Sequence, residues 1–176
     1  MTNYLQMERD FIERTLKIID QYEELVRPNL PPNDQFEVTL LMNCLLGLLV
    51  YPQQIAANRD MQKPFDRWLT NDFVAAVGHE WGIYRDYVLR AGYKREDERW
   101  IKIEWQQLTV RNLVRQMRNA VAHASFRVDD TTHQIDAIWF EDKENKDGFL
   151  LKLPVVELEH FTRKLASSAL EKLPQT

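Results

Sequence analysis

A row of basic and amide side chains in the second half of the sequence is the first candidate for chemistry. On a helical wheel, the segment Arg111–His123 separates into two sides. Its apolar side carries Val110, Leu113, Val114, Met117, Ala120, Val121 and Ala124. Its polar side carries Arg111, Asn112, Arg115, Gln116, Arg118, Asn119 and His123. From Trp105 to Val128 there are four Arg and no Asp or Glu, although the whole chain has a net charge of −4. Because arginines on one face repel each other, this face is typical of a surface that binds an anion.

Patterns for metal, phosphate-loop and nucleophile chemistry are missing from the sequence. His79-Glu80 is not followed by the second His that a zinc-binding helix needs. Cys44 is the single cysteine, which is too few for a cysteine zinc site or a disulfide. Ser125 lies close to His123 in sequence, but nothing marks it as an activated nucleophile. We therefore expect no metal and no cofactor.

The segment Arg118–His123, R-N-A-V-A-H, resembles the R-x4-6-H motif of the HEPN superfamily (higher eukaryotes and prokaryotes nucleotide-binding), in which a polar residue follows the Arg. The apolar run T-L-L-M-N-C-L-L-G-L-L-V-Y-P is similar to the hydrophobic helix of the stand-alone HEPN nucleases. The resemblance covers most of Met1–His123 and extends to the strand-helix tail. The region from His79 to Trp100 has no counterpart in the family pattern.

The resemblance implies a metal-independent endoribonuclease whose catalytic residues are Arg118, His123 and Asn119. RNA carries its own nucleophile, the 2′-hydroxyl, so the enzyme needs a proton acceptor, a proton donor and a cation. Histidine is the residue type suited to proton exchange near neutral pH, and His123 lies near the Arg face. Arg118 can hold two phosphate oxygens with its planar fork. Asn119, four residues before His123, can orient the imidazole or the ribose.

Three further residues are expected to assist. Arg115 and Arg111 are predicted to bind the RNA backbone. Asn43 lies in a stripe with Thr39 and Gly47 on the apolar helix, where small residues allow another helix to approach closely. We expect the Asn43 amide to need a hydrogen-bond partner there, either for packing or in support of the site.

Arg118 and His123 stand ~140° apart on an ideal helical wheel. One helix alone therefore places them poorly around one phosphate. A two-fold partner or a distorted helix end would resolve this, which leads us to expect a homodimer with a composite site.

Two other interpretations stay open. A HEPN module without catalytic activity could bind RNA, a nucleotide or a partner protein. Alternatively, His123 caps the helix C-terminus, where the dipole favours a cation, and the arginines bind acids of other helices. For the nuclease, the family resemblance implies a toxin or phage-defence effector, with an antitoxin protein as a possible partner.

Hydrophobic periodicity predicts the elements that position this row. We expect helices over Tyr4–Arg27, ended by Pro28, and over Gln35–Val50, ended by Tyr51-Pro52. A loop over Gln53–Pro64 and a helix over Phe65–Val77 should follow. From Trp81 to Lys102, aromatic and basic residues interleave, which would suit RNA stacking, but acids balance the bases. A charged helix and loop with core aromatics is the preferred interpretation of that stretch.

The pattern changes to short strands at Ser125–Val128, Gln134–Glu141 and Phe149–Leu153. A last helix over Val155–Lys172 should have Pro154 in its first turn. The predicted fold is a mainly α, HEPN-like bundle of four to five helices with a small antiparallel β appendage before the last helix. Residues 1–176 should form one domain.

Composition favours an ordinary soluble protein, with 44% hydrophobic and 28% charged residues. The apolar run is shorter than the ~20 residues that a bilayer span needs, so no membrane association is expected. A single cysteine and no apparent signal peptide favour the cytoplasm. Since the net charge is negative, any contact with nucleic acid must be local.

Overall fold

The described part of the chain contains four long helices and six short strands, joined by short turns and loops. The computed structural model describes residues 4–31, 37–57, 77–96, 98–129, 135–142 and 148–172. The helices are α1 (Tyr4–Gln21), α2 (Glu37–Ala57), α3 (Val110–Ala122) and α4 (Val155–Lys172). The strands are β1 (Val88–Ala91), β2 (Tyr93–Glu96), β3 (Arg99–Lys102), β4 (Phe126–Asp129), β5 (Ala137–Glu141) and β6 (Phe149–Pro154). The predicted mainly α fold with a small antiparallel β part before the last helix is confirmed.

Helix α1 is amphipathic, and its buried residues include Ile12 and Ile19. It packs against α2 and α4. Its regular part ends at Gln21, and a π-helical turn and a 3₁₀ turn then carry the chain to Asn29. The helical stretch therefore ends close to Pro28, as predicted.

Helix α2 is longer than the sequence indicated, because it continues through Pro52 to Ala57. The predictions that Tyr51-Pro52 ends this helix and that a loop starts at Gln53 are therefore wrong. An internal proline removes one backbone hydrogen bond and crowds the carbonyl four residues earlier, which bends a helix without always ending it. The rest of that loop and nearly all of the predicted helix Phe65–Val77 lie outside the described residues.

The stripe of small and polar residues on α2 contacts α1 at one position. A Cβ added to Gly47 would lie 2.7 Å from Cζ of Phe11, so the glycine lets α1 approach closely. Thr39 and Asn43 are instead exposed. Because an exposed amide can bind water, the expectation that Asn43 needs a hydrogen-bond partner within the protein is wrong. Positions four residues apart drift by about 40° around a helix, so the stripe turns away from α1.

The main sheet has the order β1-β6-β5-β4, and all its pairs are antiparallel. Strands β4–β6 were predicted within a few residues. Pro154 ends β6 rather than lying in α4, whose predicted bounds are otherwise confirmed. Strands β1, β2 and β3 occupy the stretch for which we predicted a charged helix and loop, so that prediction is wrong. β2 and β3 form a separate two-stranded ribbon.

Helix α3 lies in the middle of the core, between α2 and β5. Its apolar side is buried at Val110, Leu113, Val114, Met117, Ala120 and Val121. The seventh residue predicted for that side, Ala124, is exposed because the helix has ended before it. No helix within the described ranges has the length and apolarity that a membrane span requires.

Candidate active site

Helix α3 has well-defined ends. At its start, Oγ1 of Thr109 accepts a hydrogen bond from the backbone N–H of Asn112 at 3.2 Å, which caps a free donor of the first turn. At its end, Ala124 N–H donates to the Val121 carbonyl at 3.0 Å and Ser125 N–H to the Ala120 carbonyl at 2.6 Å. Together with a φ of +49° at Ala124, these are the bonds of a Schellman motif.

His123 is the last residue of this helix end, with φ −98° and ψ 12°. The carbonyls of Asn119, Ala120 and Val121 accept hydrogen bonds from backbone N–H groups, that of Asn119 from His123 at 3.0 Å. The His123 side chain is exposed. Backbone hydrogen bonds therefore close this helix end without the imidazole, which is exposed beside α3.

A cavity of about 490 Å³ opens beside α3. Three parts of the fold line it: α3, the β2–β3 ribbon, and the segments at Ser125 and the end of β5. Its lining residues are Tyr93, Trp100, Arg115, Gln116, Asn119, Ala120, His123, Ser125, Glu141 and Asp142.

The wall formed by α3 contains three of the predicted site residues. Arg115, Asn119 and His123 follow one another at steps of four, so their side chains form one row. Arg115 and His123 are exposed, and Asn119 is half-buried. A guanidinium, an amide and an imidazole in one row can bind an anion and exchange a proton beside it.

The other predicted residues lie elsewhere. Arg111 is exposed on the turn before Arg115 and does not line the cavity. Arg118 does not line it either; it is half-buried, and its Nε atom is buried without a hydrogen-bond partner in the described part of the chain. Asn43, exposed on α2, is also outside the cavity. In one copy of the chain, the arginine that shares the cavity with His123 is thus Arg115.

Aromatic residues of the ribbon form a wall that the sequence only hinted at. Tyr93 and Trp100 line the cavity, in the stretch where aromatic and basic residues interleave. Acids balance the bases in this stretch, so its charge pattern did not indicate a binding surface. The pairing of β2 with β3 decides which residues share a face, and the sequence alone does not show that pairing.

Two carboxylates at the end of β5 form the remaining wall, and no sequence pattern marked them. Glu141 donates its backbone N–H to the Ser125 carbonyl at 3.0 Å, which joins β5 to the residue after the helix end. Its Oε2 atom lies 3.8 Å from Nε of Arg127 on β4, and the two side chains form a loose ion pair. Asp142 follows Glu141 and also lines the cavity.

The ribbon is fixed to α3 by one side chain. Nε2 of Gln116 donates to the Tyr93 carbonyl at 3.0 Å. This contact needs Gly92, whose φ is +78° and where an added Cβ would lie 2.8 Å from the Gln116 Nε2 atom. The backbone N–H of Ile103 donates to the Gly92 carbonyl at 2.9 Å and closes the base of the ribbon.

The thiol of Cys44 and the hydroxyl of Ser125, which could act as nucleophiles by type, belong to buried residues. Cys44 is buried on α2, and burial raises the pKa of its thiol, which disfavours the nucleophilic thiolate. The Ser125 hydroxyl is buried and donates to the His123 carbonyl at 3.3 Å. Across the residues that the structure describes, no group of three His, Cys, Asp or Glu side chains could hold a metal ion.

Comparison with curated proteins and with solved structures gave no match in either case. A family model does match: the family described as HEPN pEK499 p136 matches residues 1–176. This agrees with the resemblance carried by the Arg118–His123 motif. The chain therefore belongs to the HEPN family described as pEK499 p136.

Proposed function

We propose that this protein is a metal-independent endoribonuclease, which cleaves RNA by attack of a 2′-hydroxyl on the adjacent phosphate. Membership of a HEPN family supports a nuclease or RNA-related module in general. The observation that carries the finer proposal is the row of Arg115, Asn119 and His123 along one wall of a cavity. This row offers a cation for the phosphate and an imidazole for the proton.

In the proposed reaction, the neutral imidazole of His123 accepts the 2′-hydroxyl proton while the 2′-oxygen attacks phosphorus. The P–O5′ bond then breaks, and the imidazolium returns the proton to the 5′-oxygen. Arg115 neutralises charge on the non-bridging oxygens, and Asn119 orients the imidazole or the ribose. The products are a 2′,3′-cyclic phosphate and a 5′-hydroxyl. Arg111, one turn earlier on α3, would guide the RNA backbone.

Arg118 is the reason to propose a homodimer. It belongs to the family motif but does not line the cavity that contains His123. Its side chain is half-buried and its Nε atom, within the described ranges, has no hydrogen-bond partner. Two copies with facing α3 helices would bring Arg118 of one copy towards the cavity of the other, which would complete a composite site.

For the biological role, we propose a toxin or phage-defence effector that acts on RNA in the cytoplasm, with an antitoxin protein as a possible partner. This role is inferred from the family resemblance. The local cationic row on an acidic chain suits a nuclease that contacts RNA at one place.

The test is incubation of the purified protein with total RNA in EDTA, beside the His123→Ala variant. We expect cleavage without metal and a loss of about 10²-fold or more in rate for the variant, with RNA binding nearly unchanged. His79→Ala is the matched control, since His79 is exposed and does not line the cavity. It should cut like the unmodified protein.

Other outcomes would contradict the proposal. Binding of RNA without any cleavage would favour a non-catalytic HEPN module. Activity that EDTA abolishes and Mg²⁺ restores would exclude the metal-free mechanism. If His123→Ala lowered the melting temperature and left cleavage unchanged, the imidazole would only stabilise the helix end.

A further inference from the structure

The β2–β3 ribbon presents an exposed aromatic side chain to the cavity. Trp100 is 64% exposed although it is the largest type of apolar side chain, and it lines the cavity together with Tyr93. The register pairs Tyr93 with Lys102, and Trp100 lies two residues from Lys102 on the same strand. These three side chains therefore share one face of the ribbon, and Ile101 lies on the other face.

An indole left in water forgoes the burial of a large apolar area, so an exposed tryptophan at the wall of a cavity favours a surface that a flat ligand covers. The ribbon does not move freely, because Gln116 and Gly92 hold it against α3. The wall of Trp100 and Tyr93 is thus held at a fixed position relative to His123, which lies at the end of α3. Preorganised rings of this kind are what base stacking requires.

The cavity has a basic group on one wall and carboxylates on another. A nucleotide likewise has its phosphate at one end and its base at the other. Arg115 stands on the α3 wall beside His123, and its guanidinium would attract a phosphate there. Asp142 and Glu141 stand on another wall, where their carboxylates disfavour a phosphate, although Glu141 also forms the loose ion pair with Arg127. Carboxylates accept hydrogen bonds from amino groups on base edges.

We propose that Trp100 and Tyr93 form a stacking subsite for a nucleobase of single-stranded RNA beside the phosphate that is cleaved, and that Glu141 favours bases with an exocyclic amino group over uracil. This inference rests on the proposed ribonuclease function and names its substrate: unpaired RNA, in which a base can leave its stack and lie on a protein ring.

Binding of a short single-stranded RNA tests the stacking subsite without any cleavage. The RNA carries 2-aminopurine and is 2′-O-methylated throughout, so it cannot be cut. Trp100→Ala should raise its Kd by roughly 5- to 150-fold, the range that removal of one stacking ring produces, and should reduce quenching of 2-aminopurine. Trp100→Phe should retain most of the affinity because a ring remains.

Ile101→Ala is the control, since Ile101 is exposed on the other face of the same strand. It should bind like the unmodified protein. An unchanged Kd for Trp100→Ala would overturn the inference, as would an equal loss for Ile101→Ala. Both changed side chains are exposed, so circular dichroism should show the same fold.

Uniform oligomers test the base preference. The protein should bind oligo(A) and oligo(C) more tightly than oligo(U), and Glu141→Ala should narrow that difference. Glu171→Ala removes an exposed carboxylate of α4 outside the cavity and should leave the preference intact. Equal binding of the three oligomers by the unmodified protein would refute the role of Glu141.

Cleavage of unmodified RNA separates the two proposals. If the protein cuts RNA but Trp100→Ala cuts with the same rate and base preference, the stacking subsite is wrong and the nuclease stands. If the protein binds and quenches the 2-aminopurine RNA but cuts nothing, the subsite stands and the nuclease is wrong.

Discussion

Gln116 on α3 donates a hydrogen bond from its side-chain Nε2 to the backbone carbonyl of Tyr93, over 3.0 Å. This bond joins the helix that carries His123 to the ribbon that carries Trp100. The two walls of the cavity are thus held at a defined separation by one side chain. We expect its loss to affect the ribbon more than the rest of the fold.

Gln116→Met keeps the length of the side chain and removes the donor. A hydrogen bond of this kind contributes about 0.5–1.5 kcal/mol to the free energy of unfolding, so the variant should lose roughly that amount. Hydrogen exchange should show faster exchange at ribbon amides such as Ile103, and unchanged exchange in α4. Unchanged protection of the ribbon would contradict the role of Gln116.

Arg115 should make a single phosphate contact. Its replacement by Ala should weaken RNA binding and reduce the slope of log K against log[salt] by about 0.7, the value for one phosphate of a single strand. Arg14→Ala removes an equal charge at an exposed position of α1 and should leave the slope unchanged. If both variants behave alike, the anion site lies elsewhere.

Replacement by Leu should destabilise the protein at Gly47 but not at Asn43. Gly47→Leu places a side chain where even a Cβ would lie 2.7 Å from the Phe11 ring, so it should lower the free energy of unfolding by about 1–3 kcal/mol. Asn43→Leu, one turn earlier, changes an exposed position and should stay within about 0.5 kcal/mol. Urea unfolding of both variants tests the packing of α1 on α2.

Asp129 should contribute to the pH dependence of stability. Lys152 donates from Nζ to Oδ2 of Asp129 at 2.7 Å, and this bond holds the pKa of the carboxyl below its usual value. Because the pKa is lower in the folded state, the contribution is present above the unfolded pKa of about 3.9 and is lost as pH falls through the folded pKa.

Asp129→Asn should therefore lose less stability than the unmodified protein between pH 7 and pH 3. Since the pair is partly exposed to solvent, 1 M salt should shrink the difference between the two proteins. If the melting temperatures of the two proteins changed with pH by the same amount at low salt, the pair of Asp129 and Lys152 would contribute nothing to stability.

Long elements with a clear period could be predicted from the sequence alone. Helix α4 has its predicted bounds, and the wheel over Arg111–His123 identified nearly all of the buried side of α3. The same wheel separated Arg118 from His123. The cavity is lined by His123 and not by Arg118. Periodicity suffices in these cases because each helix buries one continuous face.

Features that depend on distant parts of the chain could not be predicted. Strand β1 is only four residues long and pairs with β6, about 60 residues later in the sequence. The ribbon face that carries Trp100 exists only once β2 pairs with β3. Glu141 reaches the cavity because β5 lies next to the residues that follow α3. Which part of the α2 stripe contacts α1, Gly47 and not Asn43, depends on the packing of the two helices.

The chemistry of the RNA ends is the most direct test of the proposed reaction. A defined RNA should be cut in EDTA to fragments with a 2′,3′-cyclic phosphate and a 5′-hydroxyl, as mass spectrometry can measure. The same RNA with a 2′-deoxy nucleotide at the mapped position should bind and remain uncut there, because the nucleophile is missing. Fragments with a 5′-phosphate and a 3′-hydroxyl, or equal cleavage of the 2′-deoxy substrate, would contradict attack by the 2′-hydroxyl.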